Sequence, residues 1–183
     1  MIEKAVELRG VLNAYKALVD IAWEDLHPGM AGGVDRWRFA GAEALAQELD
    51  GYLTSAAAPP REIRIFWKLG NELRFAGCNL PFAHDAGFTA PSQLVGNTDF
   101  CESIPWTRQA AKYQADDREV MASGKPRPFI LERQTREDQV VWLFTSKASI
   151  MVGGEAVGLF GLYETIDAAR AMEIRRRMES EFP

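Results

Sequence analysis

Few residues in this sequence are of a type and spacing that could carry chemistry. Cys78 and Cys101 form neither a C-x-x-C pair nor any metal-ligand spacing, so two reduced, buried thiols are expected. The two histidines, His27 and His84, sit in different segments, and no Ser/His/Asp set, P-loop or zinc motif accompanies them. Carboxylates are paired at Asp116-Asp117 in a helix and at Glu137-Asp138 in a strand turn. Both pairs read as solvated surface. Gly153-Gly154 joins two strands, and no helix follows to aim N–H groups at a phosphate. These residues argue against an enzyme.

Composition narrows the classes further. The chain has 183 residues, enough for one domain with helical attachments, and 47% are apolar, enough for a true core. A formal net charge of −5 is poorly suited to neutralising phosphates, so no nucleic-acid partner is expected. No stretch approaches the ~20 apolar residues of a membrane span. Glu3, Lys4, Glu7, Arg9, Lys16 and Asp20 rule out a secretory h-region at the start. A cytoplasmic location is the expectation.

The elements that must position any site follow from periodicity. Residues 2–26 predict an amphipathic helix, stopped by His27-Pro28-Gly29, and a second helix is predicted over 39–53. Thr54 to Pro60 reads as a linker. Beyond it, Ile63–Lys68 and Glu72–Ala76 predict a hairpin around Gly70-Asn71. Short helices are predicted over 79–86 and 91–95, and a longer one over 105–123 that Gly124 ends. Strands at about 127–133, 139–151 and 156–164 follow, then a helix from Ala168 with Asp167 as its N-cap. Two strands, several helices and three strands make an α+β plan with a five-stranded antiparallel sheet.

This order, with its punctuation, resembles the PAS fold. The resemblance covers about residues 61–166 and rests on an ordered set of pieces. They include Phe75-Ala76-Gly77-Cys78-Asn79, Leu94-Val95-Gly96-Asn97-Thr98-Asp99-Phe100, Tyr113 to Met121, Thr145-Ser146-Lys147 and Val157 to Gly161. It implies a bacterial sensory module with a helical extension over 1–58 and a C-terminal output helix over 167–183. Such modules work upstream of histidine kinase or diguanylate cyclase domains, as in two-component systems, or beside DNA-binding domains. They bind small molecules, dimerise, and pass a change to an output helix. The usual Asp-x-Thr junction is replaced here by Glu164-Thr165-Ile166-Asp167, so Asp167 is the candidate signal junction. No kinase, cyclase or DNA-binding motif follows, and a stand-alone sensor or a piece of a longer protein is expected.

A PAS sheet curls around its helices and leaves a pocket. Phe75, Leu94, Trp106, Tyr113, Phe129, Trp142 and Thr145 are the candidates to line it. Haem is disfavoured, because the proximal His of haem-binding PAS proteins lies on the long helix, and residues 105–123 contain none. The flavin–cysteine motif is absent, since Cys78 precedes Asn79. Non-covalent flavin stays open, with Trp106, Trp142 and Tyr113 as stacking partners, so a flavin redox sensor is one alternative. A structural dimerisation module without ligand is another. No cofactor is required by the sequence.

The strand at 139–151 is apolar on both faces, with Val140, Trp142, Phe144, Ala148 and Ile150 on one and Val141 and Leu143 on the other. A half-exposed sheet would alternate with polar residues. The N-terminal helices, from the same or a second subunit, are the expected cover, and a homodimer is the expected assembly. Ala171, Ile174 and Met178 give the last helix a seam compatible with a short coiled coil.

Overall fold

A computed structural model describes residues 3–19, 63–136 and 139–181. The predicted helix over 39–53, the stop at His27-Pro28-Gly29, the linker before residue 61 and the tip at Glu137-Asp138 lie outside the described residues.

Helix α1 (Lys4–Val19) is followed in the described chain by β1 (Ile63–Leu69) and β2 (Arg74–Cys78). Helices α2 (Leu80–Asp85) and α3 (Pro91–Leu94), a 3-10 turn (Thr107–Gln109) and α4 (Ala110–Ser123) come next. The chain closes with β3 (Arg127–Arg136), β4 (Gln139–Val152), β5 (Glu155–Ile166) and α5 (Ala168–Glu181). The strands form one five-stranded antiparallel sheet, as the sequence predicts, and their order is β2-β1-β5-β4-β3.

The turn chemistry is local. Gly153 and Gly154, at φ 61° and 90°, give the left-handed pair that a tight β4–β5 hairpin needs. Gly124, at φ 62°, ends α4, and its N–H bonds the Val120 carbonyl at 3.1 Å. The helix predicted from residue 105 begins at Ala110 instead. Residues before it are held by side-chain bonds that a regular helix would break. The Trp106 indole donates to Asp99, and the Gln109 amide is bonded to β3.

Both sheet faces are buried, by different helices. On the outer face Leu8, Val11, Tyr15 and Leu18 of α1 pack on Ile65, Trp67, Ile150 and Phe160. Tyr15 meets Phe160 edge-on, 6.0 Å between ring centres. A buried bond fixes the docking: Trp67 Nε1 donates to Glu7 Oε1 at 3.0 Å. The predicted cover of the second face is therefore α1 of the same chain. α5 packs farther along that sheet, against β3 and β4, burying Ala171 and Ile174. Among the described residues no helix is long and apolar enough to cross a membrane.

The inner face carries α2 to α4 over Phe66, Phe75, Leu143, Leu159 and Tyr163. Gly161 stands opposite Phe66, and a Cβ there would overlap its ring. The missing side chain lets Phe66 lie across the sheet as one wall of the interior. Both sheet edges are engaged. Phe75 of β2 donates to the Asn97 carbonyl at 2.9 Å and accepts from Gly96 N–H at 2.8 Å. On β3, Gln109 Nε2 donates to the Arg133 carbonyl at 3.3 Å, and its Oε1 accepts from Thr135 N–H at 2.9 Å.

Candidate functional site

Strand parity builds the site. Phe66 and Lys68 of β1, Glu132 and Gln134 of β3, Leu143, Thr145 and Lys147 of β4, and Tyr163 of β5 all point inward. Asp99, from the loop after α3, and Trp106, Tyr113 and Asp117 close the other side. Between them is a cavity in which a water centre can range over about 30 Å³. At roughly 10–15 Å³ per water, that is room for about two or three waters.

A buried chain of charges runs along the cavity. Lys68 Nζ donates to Asp99 Oδ2 at 2.5 Å and to Asp117 Oδ2 at 2.7 Å. Lys147 Nζ is 2.8 Å from Asp117 Oδ1. Trp106 Nε1 donates to Asp99 Oδ1 at 3.2 Å, and Thr145 Oγ1 to Glu132 Oε2 at 2.8 Å. Burial alone pushes the Asp117 carboxyl up, but the Lys68 and Lys147 ammonium groups outweigh it and hold it below the usual range. Burial pulls Lys147 down, yet Asp117 and Glu132 drive it above its ordinary value. Lys68 Nζ also sits 4.9 Å over the Phe75 ring, inside cation–π range.

A second cluster adjoins the first through Tyr163. One oxygen, Asp85 Oδ2, accepts from Tyr163 Oη at 2.8 Å and from Arg64 Nε at 3.0 Å, and Arg136 Nη2 lies 3.0 Å away. Burial drives the Tyr163 hydroxyl well above its ordinary pKa, and the Asp85 charge adds to it. This network ties α2, β1, β3 and β5 together at one wall of the cavity.

Of the predicted lining residues, the structure brings Phe75, Trp106, Tyr113 and Thr145 to the cavity. Leu94 is fully buried in the adjoining core and does not line it. The Phe129 side chain lies outside the described residues. Trp142 is corrected: it is even-numbered on a strand whose odd residues face the cavity, so it projects from the opposite face. There its ring lies between Arg133 of β3 and Arg175 of α5, 5.5 and 5.7 Å from the guanidinium carbons. Asp167 caps α5 as predicted, accepting from Arg170 N–H at 2.7 Å.

The solvated reading of Asp116-Asp117 holds only for the first. Asp116 pairs with Lys112 at 3.3 Å near the surface, whereas Asp117 is fully buried between two lysines. Lys68, Asp99, Glu132, Gln134 and Lys147 were not among the predicted site residues. A parity argument finds the lysines, since Lys68 shares the face of Phe66, and Lys147 that of Leu143 and Thr145.

The cofactor alternatives can be tested on these walls. A flavin's three fused rings do not fit a space of about two or three waters, and Trp142 faces away from it. His84 is exposed on α2 and does not line the cavity, so it offers no haem ligand there. Among the described residues no group of His, Cys, Asp and Glu is arranged to hold a metal ion. Cys78 is buried beneath α2, and burial pushes its thiol up to about 12. Cys101 is half-buried, its Sγ 3.2 Å from Ser103 Oγ. A thiol reagent should therefore label Cys101 in the native protein and both cysteines in denaturant. Equal native labelling, read by peptide mass spectrometry, would contradict the packing around Cys78.

The fold is that of a PAS domain. Solved structures similar to it include the Vibrio cholerae VqmA dimer, at TM-score 0.50 and 20% identity, covering 57% of this chain and 47% of that one. VqmA bound to DPO matches at TM-score 0.49 and 20% identity, over 55% and 52%. The PAS domain of Bordetella pertussis BvgS matches at TM-score 0.49 and 19% identity, over 75% and 96%. The chain spans about half the length of the VqmA chains it matches. No protein-family model matches it, and no curated protein does. The exclusion of nucleic-acid partners needs correction. VqmA, similar in fold, is described in the absence of its target DNA, in work on the DNA-binding mechanisms of LuxR-type receptors. A net charge of −5 does not by itself exclude such a partner, because phosphate binding follows where cations cluster rather than their sum over a chain.

Proposed function

We propose that this chain is a sensory module, not an enzyme, in which a small molecule entering the charged cavity changes the packing of α5. The observation that carries this reading is the two-sided use of β4. Leu143, Thr145 and Lys147 line the cavity on one face, and Trp142 holds Arg175 of α5 on the other. A shift of β4 that answers the cavity must also move the seat of α5. Asp167 fixes where that helix starts, so displacement passes on as a rotation or release of α5 toward an effector such as a kinase or cyclase domain.

Tyr163→Phe tests the coupling without needing the ligand. It keeps the ring and removes the hydrogen bond to Asp85 at the cavity wall. Amide exchange across residues 168–176 should speed up at least threefold while the β1–β5 core stays protected. Unchanged exchange in α5, with altered exchange confined to the cavity wall, would sink the relay. A second reading, dimerisation, is favoured by apolar exposure at Val140 on β4 and Met172 on α5. Light scattering across a concentration series decides it, a mass of one chain throughout counting against it.

A further inference from the structure

Resting on that sensory reading of the cavity, we propose that its ligand is a small primary ammonium with a short apolar tail, the cation seated on Glu132. Glu132 is 5% exposed and lines the cavity. Its Oε2 is taken by Thr145, but its Oε1 is buried with no hydrogen-bond partner. The nearest ammonium groups, Lys112 and Lys147, are 3.8 and 3.9 Å away, too far for a hydrogen bond. The neighbouring cationic donors are committed elsewhere, while the Tyr113 hydroxyl, on the same cavity, is likewise buried without a partner. Lys68 serves Asp99 and Asp117, Lys147 sits on Asp117, and Arg136 serves Gln134, Asp85 and Tyr163. A buried carboxylate oxygen left without a donor is a strained acceptor waiting for an N–H.

Charge and shape select the ligand class. Along the cavity three buried carboxylates, Asp99, Asp117 and Glu132, face two buried lysines, Lys68 and Lys147. A monocation therefore suits this wall better than a neutral donor, and an anion suits it worst. The remaining wall is aromatic, with Phe66, Phe82 and Trp106. An ammonium head with an apolar tail satisfies both sides, and its positive charge is favoured beside ring faces. The space of about 30 Å³ limits the molecule to about three or four non-hydrogen atoms.

The test uses the full chain and propylammonium chloride, with n-propanol, sodium propionate and ammonium chloride at matched ionic strength. Calorimetric titration should show binding of propylammonium at least tenfold tighter than that of the other three, with a parallel rise in melting temperature. Glu132→Gln, whose fold is checked by near-ultraviolet circular dichroism, should weaken that binding at least tenfold. Lys112→Met is the second variant. Lys112 is half-exposed and is the distant cation now nearest Glu132, so its removal should tighten propylammonium binding about threefold. Propanol or propionate matching the amine would overturn the ligand class. Ammonium alone matching it would reduce the site to a simple cation site and overturn the tail contact. Undiminished binding in Glu132→Gln, or no tightening in Lys112→Met, would overturn the seat. None of these failures touches the Tyr163→Phe exchange experiment, so the ligand class can fall while the relay stands.

Discussion

Asp117→Ala should destabilise the domain by about 3–5 kcal/mol, the usual penalty for removing one partner from a buried ion pair. Asp117 is fully buried and is shared by Lys68, at 2.7 Å, and Lys147, at 2.8 Å. Its loss leaves Lys147 with only the distant Glu132, and Lys68 with Asp99 alone. Neither side chain is exposed to bulk solvent, Lys68 and Lys147 being 2% exposed each. At about 2–4 °C per kcal/mol for a chain of this size, the melting temperature should drop by roughly 6–20 °C. Urea unfolding followed by tryptophan fluorescence checks it. The double variant Asp117→Ala, Lys147→Met should recover part of the loss, because it removes an orphaned charge. A double variant that is merely additive would show that the two side chains do not depend on each other.

The same residue sets the acid limb of stability. The carboxyl of Asp117 is held below its usual value in the fold, so the unfolded chain takes up the proton first as pH falls. Its contribution is complete above about pH 4, near the unfolded value, and is lost as pH falls through the folded one. Lys147 works at the other end. Its folded pKa is raised, so its contribution holds below about pH 10.4 and is lost above it. Tyr163, also raised, adds to the alkaline loss, because only the unfolded chain ionises easily there. A plateau between about pH 5 and pH 9 should result, and Asp117→Asn should flatten its acid edge.

Val11→Asp should prevent folding altogether. Val11 is completely buried between α1 and the sheet, where the cluster of Tyr15, Ile65, Trp67, Ile150 and Phe160 offers no partner for a charge. The substitution forfeits roughly 1.5–3 kcal/mol of side-chain burial and adds several kcal/mol for an unpaired carboxylate. Against a typical total of ~5–15 kcal/mol, that leaves little or no folded protein. Loss of the cooperative transition by circular dichroism is the expected result. A Val11→Asp protein that melts like the parent would show that α1 is dispensable and that the outer face is covered in another way.

These effects also mark what the sequence disclosed. The strands over 63–68 and 139–151, the turns at Gly70 and Gly153-Gly154, and the stop at Gly124 read correctly, because each depends on neighbours a few residues away. The apolar character of both faces of β4 correctly required a second layer. The charged cavity was less legible, for a physical reason. Lys68 meets Asp117 across 49 residues of chain, and Asp99 across 31. A charge in isolation reads as solvent-facing unless its partner is known. Even so, Lys68 within Ile-Arg-Ile-Phe-Trp-Lys-Leu shares its face with Phe66, and that was a sign of burial. Trp142 was misplaced because its type was weighed above its position; parity with Leu143 and Thr145 would have sent it to the α5 side.

The bonded edges of the sheet have a consequence for how the protein behaves at high concentration. An open edge strand is a template on which another chain can add, leading to strand exchange or fibrils. Here β2 is met by the backbone at Gly96 and Asn97, and β3 by the single amide of Gln109, which gives one donor and one acceptor as a neighbouring strand would. Gln109 thus acts as a plug at the end of the ladder. Growth by strand addition is discouraged on both sides, and contacts between copies are steered toward helices and side chains.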